Sequence, residues 1–206
     1  MIGNFYRPGK LYTRARVETL DHDFPSLASG VVIPHGIYDL KQKHGYVTLG
    51  TSHDTSEFAG DCLRGWWRPY GQAAYPQASS ILILCDGGGS NRARGDLFKL
   101  ALSRFARVTG REVRVAHYPP YTSKYNPIEH RLFPHLERAC QGMIFIHLDL
   151  VQELMAKANT KTGLTVSVTV SDKVYKTGLK VPADVKEQIK IIRDENLPQW
   201  NYRILP

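Results

Sequence analysis

Asp86 ends the apolar run Ile81-Leu82-Ile83-Leu84-Cys85 and opens the turn Gly87-Gly88-Gly89-Ser90-Asn91. A short apolar run bounded by turn residues reads as a buried strand. A carboxylate at its end is expected to be incompletely solvated. The three glycines remove side chains that would keep a ligand or a second backbone away. A metal or phosphate site at a strand end needs that combination. The same residues also suit a plain turn, with Asp86 accepting from the glycine amides.

A second acid follows in Tyr118-Pro119-Pro120-Tyr121-Thr122-Ser123-Lys124-Tyr125-Asn126-Pro127-Ile128-Glu129-His130-Arg131-Leu132-Phe133. Asn126 suits an N-cap and Pro127 the first helical position, which puts Glu129 at the third. Asn-x-x-Glu also matches a capping box, in which the Glu reaches back to the cap amide. A strand-end Asp and a helix-start Glu are hard oxygen ligands of the kind Mg²⁺ takes. Paired divalent ions held by such groups activate a nucleophile and stabilise a leaving oxygen in phosphodiester chemistry. Arg92 and Arg94 follow Asp86, and Lys124 and Arg131 flank Glu129. They are candidates for phosphate contacts, which position DNA without reading it; a solvated helix face explains them equally. His130 adjoins Glu129, but neighbours on a helix diverge by roughly 100°. His22, His35, His53 and His117 show no metal-ligand spacing and read as structural.

These acids need elements to hold them. Gly36 to Gly50 reads as a hairpin with a polar turn near Lys43-His44-Gly45. Asp54 or Thr55 caps the next helix, whose apolar face is Phe58, Ala59, Cys62, Leu63, Trp66 and Trp67. Pro69-Tyr70-Gly71 ends it. Trp66 and Trp67 read as packing residues rather than a base-stacking platform. Residues 81–85 read as the central strand. Ser90 or Asn91 caps a helix through Phe98, Leu102 and Phe105 that stops at Gly110. Val113 and Val115 mark another strand. The Glu129 helix turns Leu132, Phe133 and Leu136 inward, and Pro134 should bend it or shift its first turn. A helix over 148–158, a strand over 164–170, a last helix over 182–193 and an extended tail complete the chain. Residues 1–34, broken by prolines and glycines, read as a strand and a long loop. The order suits an α/β layer architecture with a mixed sheet covered by helices.

The 206 residues are enough for one substantial core, and a single domain over 1–206 is expected. A net charge of +8 and a pI near 9.4 favour a polyanionic partner. The basic residues are spread along the chain, as on a basic face rather than a tail. Cys62, Cys85 and Cys140 show neither disulfide framework nor zinc spacing, which fits a reducing cytosol. No signal peptide and no membrane-spanning apolar stretch is evident, so no membrane partner is expected.

Cys85-Asp86-Gly87-Gly88-Gly89-Ser90-Asn91 followed by Pro-Pro-x-Thr-Ser-Lys-Tyr-Asn-Pro-Ile-Glu-His-Arg-Leu-Phe resembles the DDE transposases of bacterial insertion sequences, in particular the Rhodopirellula-type transposase DDE domain. The Asn-Pro-Ile-Glu segment is also similar to mariner-like transposases. The resemblance runs from Ile2-Gly3-Asn4-Phe5 to Trp200-Asn201-Tyr202 and takes in His53-Asp54-Thr55-Ser56-Glu57-Phe58-Ala59 and Trp66-Trp67. It implies an RNase H-like fold and a three-carboxylate site binding Mg²⁺ (or Mn²⁺), with Asp86 as second acid and Glu129 as third. It also implies DNA as partner, both element ends and target, a bacterial cytoplasmic, nucleoid-associated setting, and leaves self-association open. In the family the first Asp lies on the first strand, a few residues before Ile-Gly-Asn-Phe. Here Met1 directly precedes Ile2, so that position has no match and an N-terminally truncated core is expected. Two readings follow: a catalytic-core fragment for metal-dependent DNA cleavage and strand transfer, or a DNA-binding remnant without catalysis. A phosphate-binding α/β protein using Gly87 to Asn91 is a third, disfavoured because the loop lacks the P-loop lysine and dinucleotide spacing.

Overall fold

The computed structural model describes residues 1–206, Ser123 by its backbone alone. The chain forms two compact units, Met1–Ser52 with Pro127–Val174, and His53–Asn126 with Tyr175–Pro206. Both carry mixed sheets with helices packed on them, the α/β architecture expected and consistent with an RNase H-like fold.

The first unit holds strands β1 (Ile33–Asp39), β2 (His44–Gly50) and β5 (Thr165–Ser171) in the order β1-β2-β5. β1 and β2 are antiparallel; β2 and β5 are parallel. The turn sits earlier than its polar residues suggest. The Asp39 Oδ1 accepts the Lys41 and Gln42 amides, both at 3.0 Å, and Lys43 takes φ 52° to re-enter the ladder. Alternation on β2 buries Gly45, Val47 and Leu49. Helices α4 (Ile128–Arg131), α5 (Phe133–Cys140) and α6 (Leu148–Ala156), with Leu132 between the first two, bring Leu132, Leu136, Val151 and Leu154 to the same core. Residues 1–32 form no regular strand. Isolated bridges Ile2 to Gly30 and Phe5 to Leu20, with a short 3₁₀ turn Pro25–Leu27, replace the one expected there. Arg7 and the terminal amine tie this segment down through Asp23, at 2.7 and 3.2 Å.

The second unit holds β3 (Ser80–Asp86), β4 (Glu112–Tyr118), β6 (Ile191–Arg193) and β7 (Asn201–Ile204) in the order β3-β4-β7-β6. β3 and β4 are parallel and joined through α3 (Asp96–Thr109), while β7 is antiparallel to both its neighbours. Thr55 caps α1 (Ser56–Trp66), its side chain accepting the Phe58 amide at 3.1 Å. Gly60 allows α1 to lie close on α3, since a Cβ there would come 2.8 Å from that of Ala101. Phe58, Phe98, Leu102 and Phe105 are fully buried between these elements, each contributing about 1.5–3 kcal/mol of apolar burial. Trp67 packs edge-on to Phe105 and under Arg111, the packing role expected of it. Gly110 stops α3 at φ 65°.

Three boundaries and the place of one strand differ from the sequence pattern. Pro69 does not stop the first helix but sits in a π turn, Trp67–Gly71, that leads into α2 (Gln72–Ala74). α3 starts at Asp96 rather than near Asn91, because Gly89–Asn91 closes a 3₁₀ turn and the Gly95 amide turns back to Arg92 O at 2.9 Å. The expected last helix is only α7 (Ala183–Glu187); Ile191 and Ile192 instead join β6, where β-branched residues fit the ladder. β3 is an edge strand rather than a central one, with Leu82 62% exposed and no described partner beyond β4.

Candidate active site

Asp86 closes β3 and lies opposite Tyr118 at the carboxyl ends of two parallel strands. Ligands of open α/β sheets bind outside such ends. Its side chain is exposed, contrary to the expected partial burial, because β3 ends at the sheet edge and the next three residues are glycines. Exposure leaves the carboxylate oxygens available to a ligand. Gly89 takes φ +55°, and a Cβ there would meet Asp54 Oδ2 at 3.5 Å. The Ser56 hydroxyl donates to Ser90 O at 2.6 Å, pinning the loop to the start of α1.

Beneath Asp86 runs a buried polar network. His117 Nδ1 lies 2.9 Å from the Asp86 carbonyl, and Nε2 lies 3.0 Å from the Tyr202 hydroxyl. A carbonyl only accepts, so Nδ1 carries the proton and the neutral ring accepts from Tyr202 through Nε2. Burial lowers the His117 pKa and keeps it neutral; the Asp86 carbonyl and charge oppose this. Burial, then the Asp86 charge, pushes the Cys85 thiol up to about 12, so Cys85 is an inert core thiol. The network ties β3, β4 and β7 together under the acid. His117 is thus structural, as expected. Its hold on Asp86 depends on strand register, which no local motif carries.

Glu129 is the second residue of α4 and is half-buried. The helix begins on Pro127 without a side-chain cap, one residue later than expected, so the capping box is not formed. Pro134 breaks the helix rather than bending it. Leu132 departs to φ −127°, and Pro134 falls in the first turn of α5, where its missing N–H costs nothing. The junction of α4 and α5 is seated by glycines on the strands below. A Cβ at Gly36 would meet Phe133 at 2.8 Å, and one at Gly45 would collide with Leu132.

Asp86 belongs to the second unit and Glu129 to the first. Both are carboxylates suited in kind to Mg²⁺ or Mn²⁺. Among the described residues, no group of three or more His, Cys, Asp or Glu side chains is gathered that could hold a metal. Arg92, Arg94, Lys124 and Arg131 are all exposed. Arg94 Nη2 donates to Gln199 Oε1 at 3.1 Å, and Lys124 lies 5.2 Å from the Tyr125 ring centroid. Asp54, at the glycine loop, carries no sequence signal beyond capping. No helix among the described residues is long and apolar enough to cross a membrane.

The family described as the Rhodopirellula transposase DDE domain matches residues 1–206. No curated protein and no solved structure matches the chain.

Proposed function

Because the chain belongs to the Rhodopirellula transposase DDE domain family, we propose that it is the catalytic core of a DDE transposase, acting on DNA in the bacterial cytoplasm. Asp86 and Glu129 are its second and third metal-holding acids. The observation that carries this reading is the family match over 1–206, together with an exposed Asp86 at the carboxyl end of β3. The family uses divalent metal, and its members imply DNA as partner. Bound Mg²⁺ or Mn²⁺ would supply activation of the nucleophile and stabilisation of the leaving oxygen. The chain's own residues do the rest. Asp86 offers carboxylate oxygens from a strand end fixed through its backbone by His117. Glu129 offers them from an uncapped first turn anchored by Leu132. Arg92, Lys124 and Arg131 are the proposed phosphate contacts, with Arg94.

The test is metal-dependent cleavage of duplex DNA by the protein expressed from its whole gene. Asp86→Asn and Glu129→Gln should each lower cleavage at least about a hundredfold, in the range lost when a charge-stabilising group is removed. Retained cleavage in either variant would remove that residue from the site. A second reading, a DNA-binding relative without cleavage, rests on the net charge of +8 and the exposed Arg92, Arg94, Lys124 and Arg131. A whole-gene product that binds but does not cut would favour it.

A further inference from the structure

Four cations from four parts of the second unit line one cleft of about 480 Å³. Arg94 comes from the loop before α3, Lys99 from the first turns of α3, Lys186 from α7 and Arg193 from β6. Ala93, Pro198 and Gln199 complete the walls, and Asp96 is the single carboxylate. Lys99 is only 7% exposed, a degree of burial lysine rarely accepts without a partner. Its ammonium faces Asp96 Oδ1 at 3.8 Å, beyond hydrogen-bond length. The other Asp96 oxygen is held by Lys186 at 2.9 Å. Arg94 donates to Gln199 Oε1 and Arg193 to Pro198 O at 3.0 Å. Those neutral acceptors orient the guanidinium groups and cancel no charge. One carboxylate therefore serves four cations. Burial lowers the Lys99 pKa, and Arg193 and Lys186 add to that against the pull of Asp96.

The cleft shares walls with the turn after Asp86. A side chain begun at Gly87 would meet Trp200, the neighbour of Gln199, at 3.0 Å and Ala93 at 3.9 Å. Concave positive charge of this kind concentrates anions. One rim is open, with the Lys186 side chain 58% exposed, so a phosphate that is part of a longer chain can enter.

We propose that this cleft binds a backbone phosphate of duplex DNA and holds the duplex against the carboxyl end of β3. The inference rests on DNA being the partner, and its test separates the two. Anisotropy of a labelled random duplex with chain 1–206 is measured from about 50 to about 200 mM salt, where phosphate contacts dominate affinity. In Lys186→Gln/Arg193→Gln, binding should weaken and the slope of log K against log salt should shrink by roughly 0.9 for the phosphate lost. Asp96→Asn should tighten binding, an outcome that misfolding cannot produce. Lys157→Gln/Lys161→Gln, at exposed positions of the first unit, should leave the slope unchanged. No duplex binding by the unaltered chain would overturn both the partner and the cleft. Binding whose slope is unmoved by the cleft pair, or lowered equally by both pairs, would overturn the cleft alone. So would a thermal shift with inorganic phosphate that the cleft pair abolishes while duplex binding stays intact, which would assign the cleft to a free anion.

Discussion

Tyr121 stands in left-handed backbone at φ 66° with its side chain 99% exposed. That conformation costs a non-glycine residue about 1–2 kcal/mol, and an exposed ring recovers none of it by packing. Glycine would remove the strain and return about 0.5–1 kcal/mol through the freer unfolded chain. Tyr121→Gly should therefore stabilise the protein by roughly 0.5–1 kcal/mol in urea unfolding; an unchanged or lower midpoint would show the strain is absent. The two candidate acids stand out in the sequence for different reasons. Asp86 stands where an apolar run meets a glycine turn, and the structure keeps it at a strand end. Glu129 competes with a capping role in the sequence, and that cap is not formed. The His117 link to Asp86 was invisible because it joins residues 31 apart in sequence through strand pairing.

The elements show where periodicity suffices and where pairing overrides it. β2 and β4 alternate cleanly and lie where alternation puts them. Residues 182–193 have a helical look, yet Ile191–Arg193 pair with β7, a partner that only the folded sheet supplies. The apolar run of β3 suggested a central strand because burial on both faces and edge position are indistinguishable from composition. Two consequences belong to the first sheet. Gly45 sits beneath fully buried Leu132, so Gly45→Ala should destabilise by about 1–3 kcal/mol, the usual cost of overpacking. Thermal or urea unfolding reads this directly, and a neutral result would mean that α4 is not anchored there. His44 joins β2 to β5 through Ser167 at 2.9 Å and Thr165 at 2.8 Å. Burial lowers its pKa from 6.5, with Asp39 opposing. A histidine whose folded pKa is depressed gives its full stability above the unfolded value and loses it as pH falls toward the folded one. The stability of the unaltered chain should thus fall below pH about 6.5 more than that of His44→Gln, which does not titrate. Parallel pH profiles for the two proteins would exclude His44 as the source.

At the scale of the molecule, binding and cutting should separate. A net charge of +8 and a cleft of four cations should make duplex binding electrostatic, whereas cleavage needs the geometry of a complete carboxylate site. Asp86 and Glu129 are the two acids proposed for it. Two carboxylates alone hold ions more weakly, and align in-line attack less well, than a complete set. Three acids of the first unit have local duties. Asp23 pairs with Arg7 and the terminal amine, Asp39 holds the hairpin turn, and Asp21 pairs with His22 at 3.0 Å. With Mg²⁺, chain 1–206 should therefore bind duplex yet show little or no strand cleavage. The chain is assayed beside a Glu129→Gln control on the same DNA. Robust Glu129-dependent cleavage would mean that a further residue within 1–206 supplies a third ligand. Asp54, whose carboxylate already lies at the Gly89 loop, would be the first to replace with Asn.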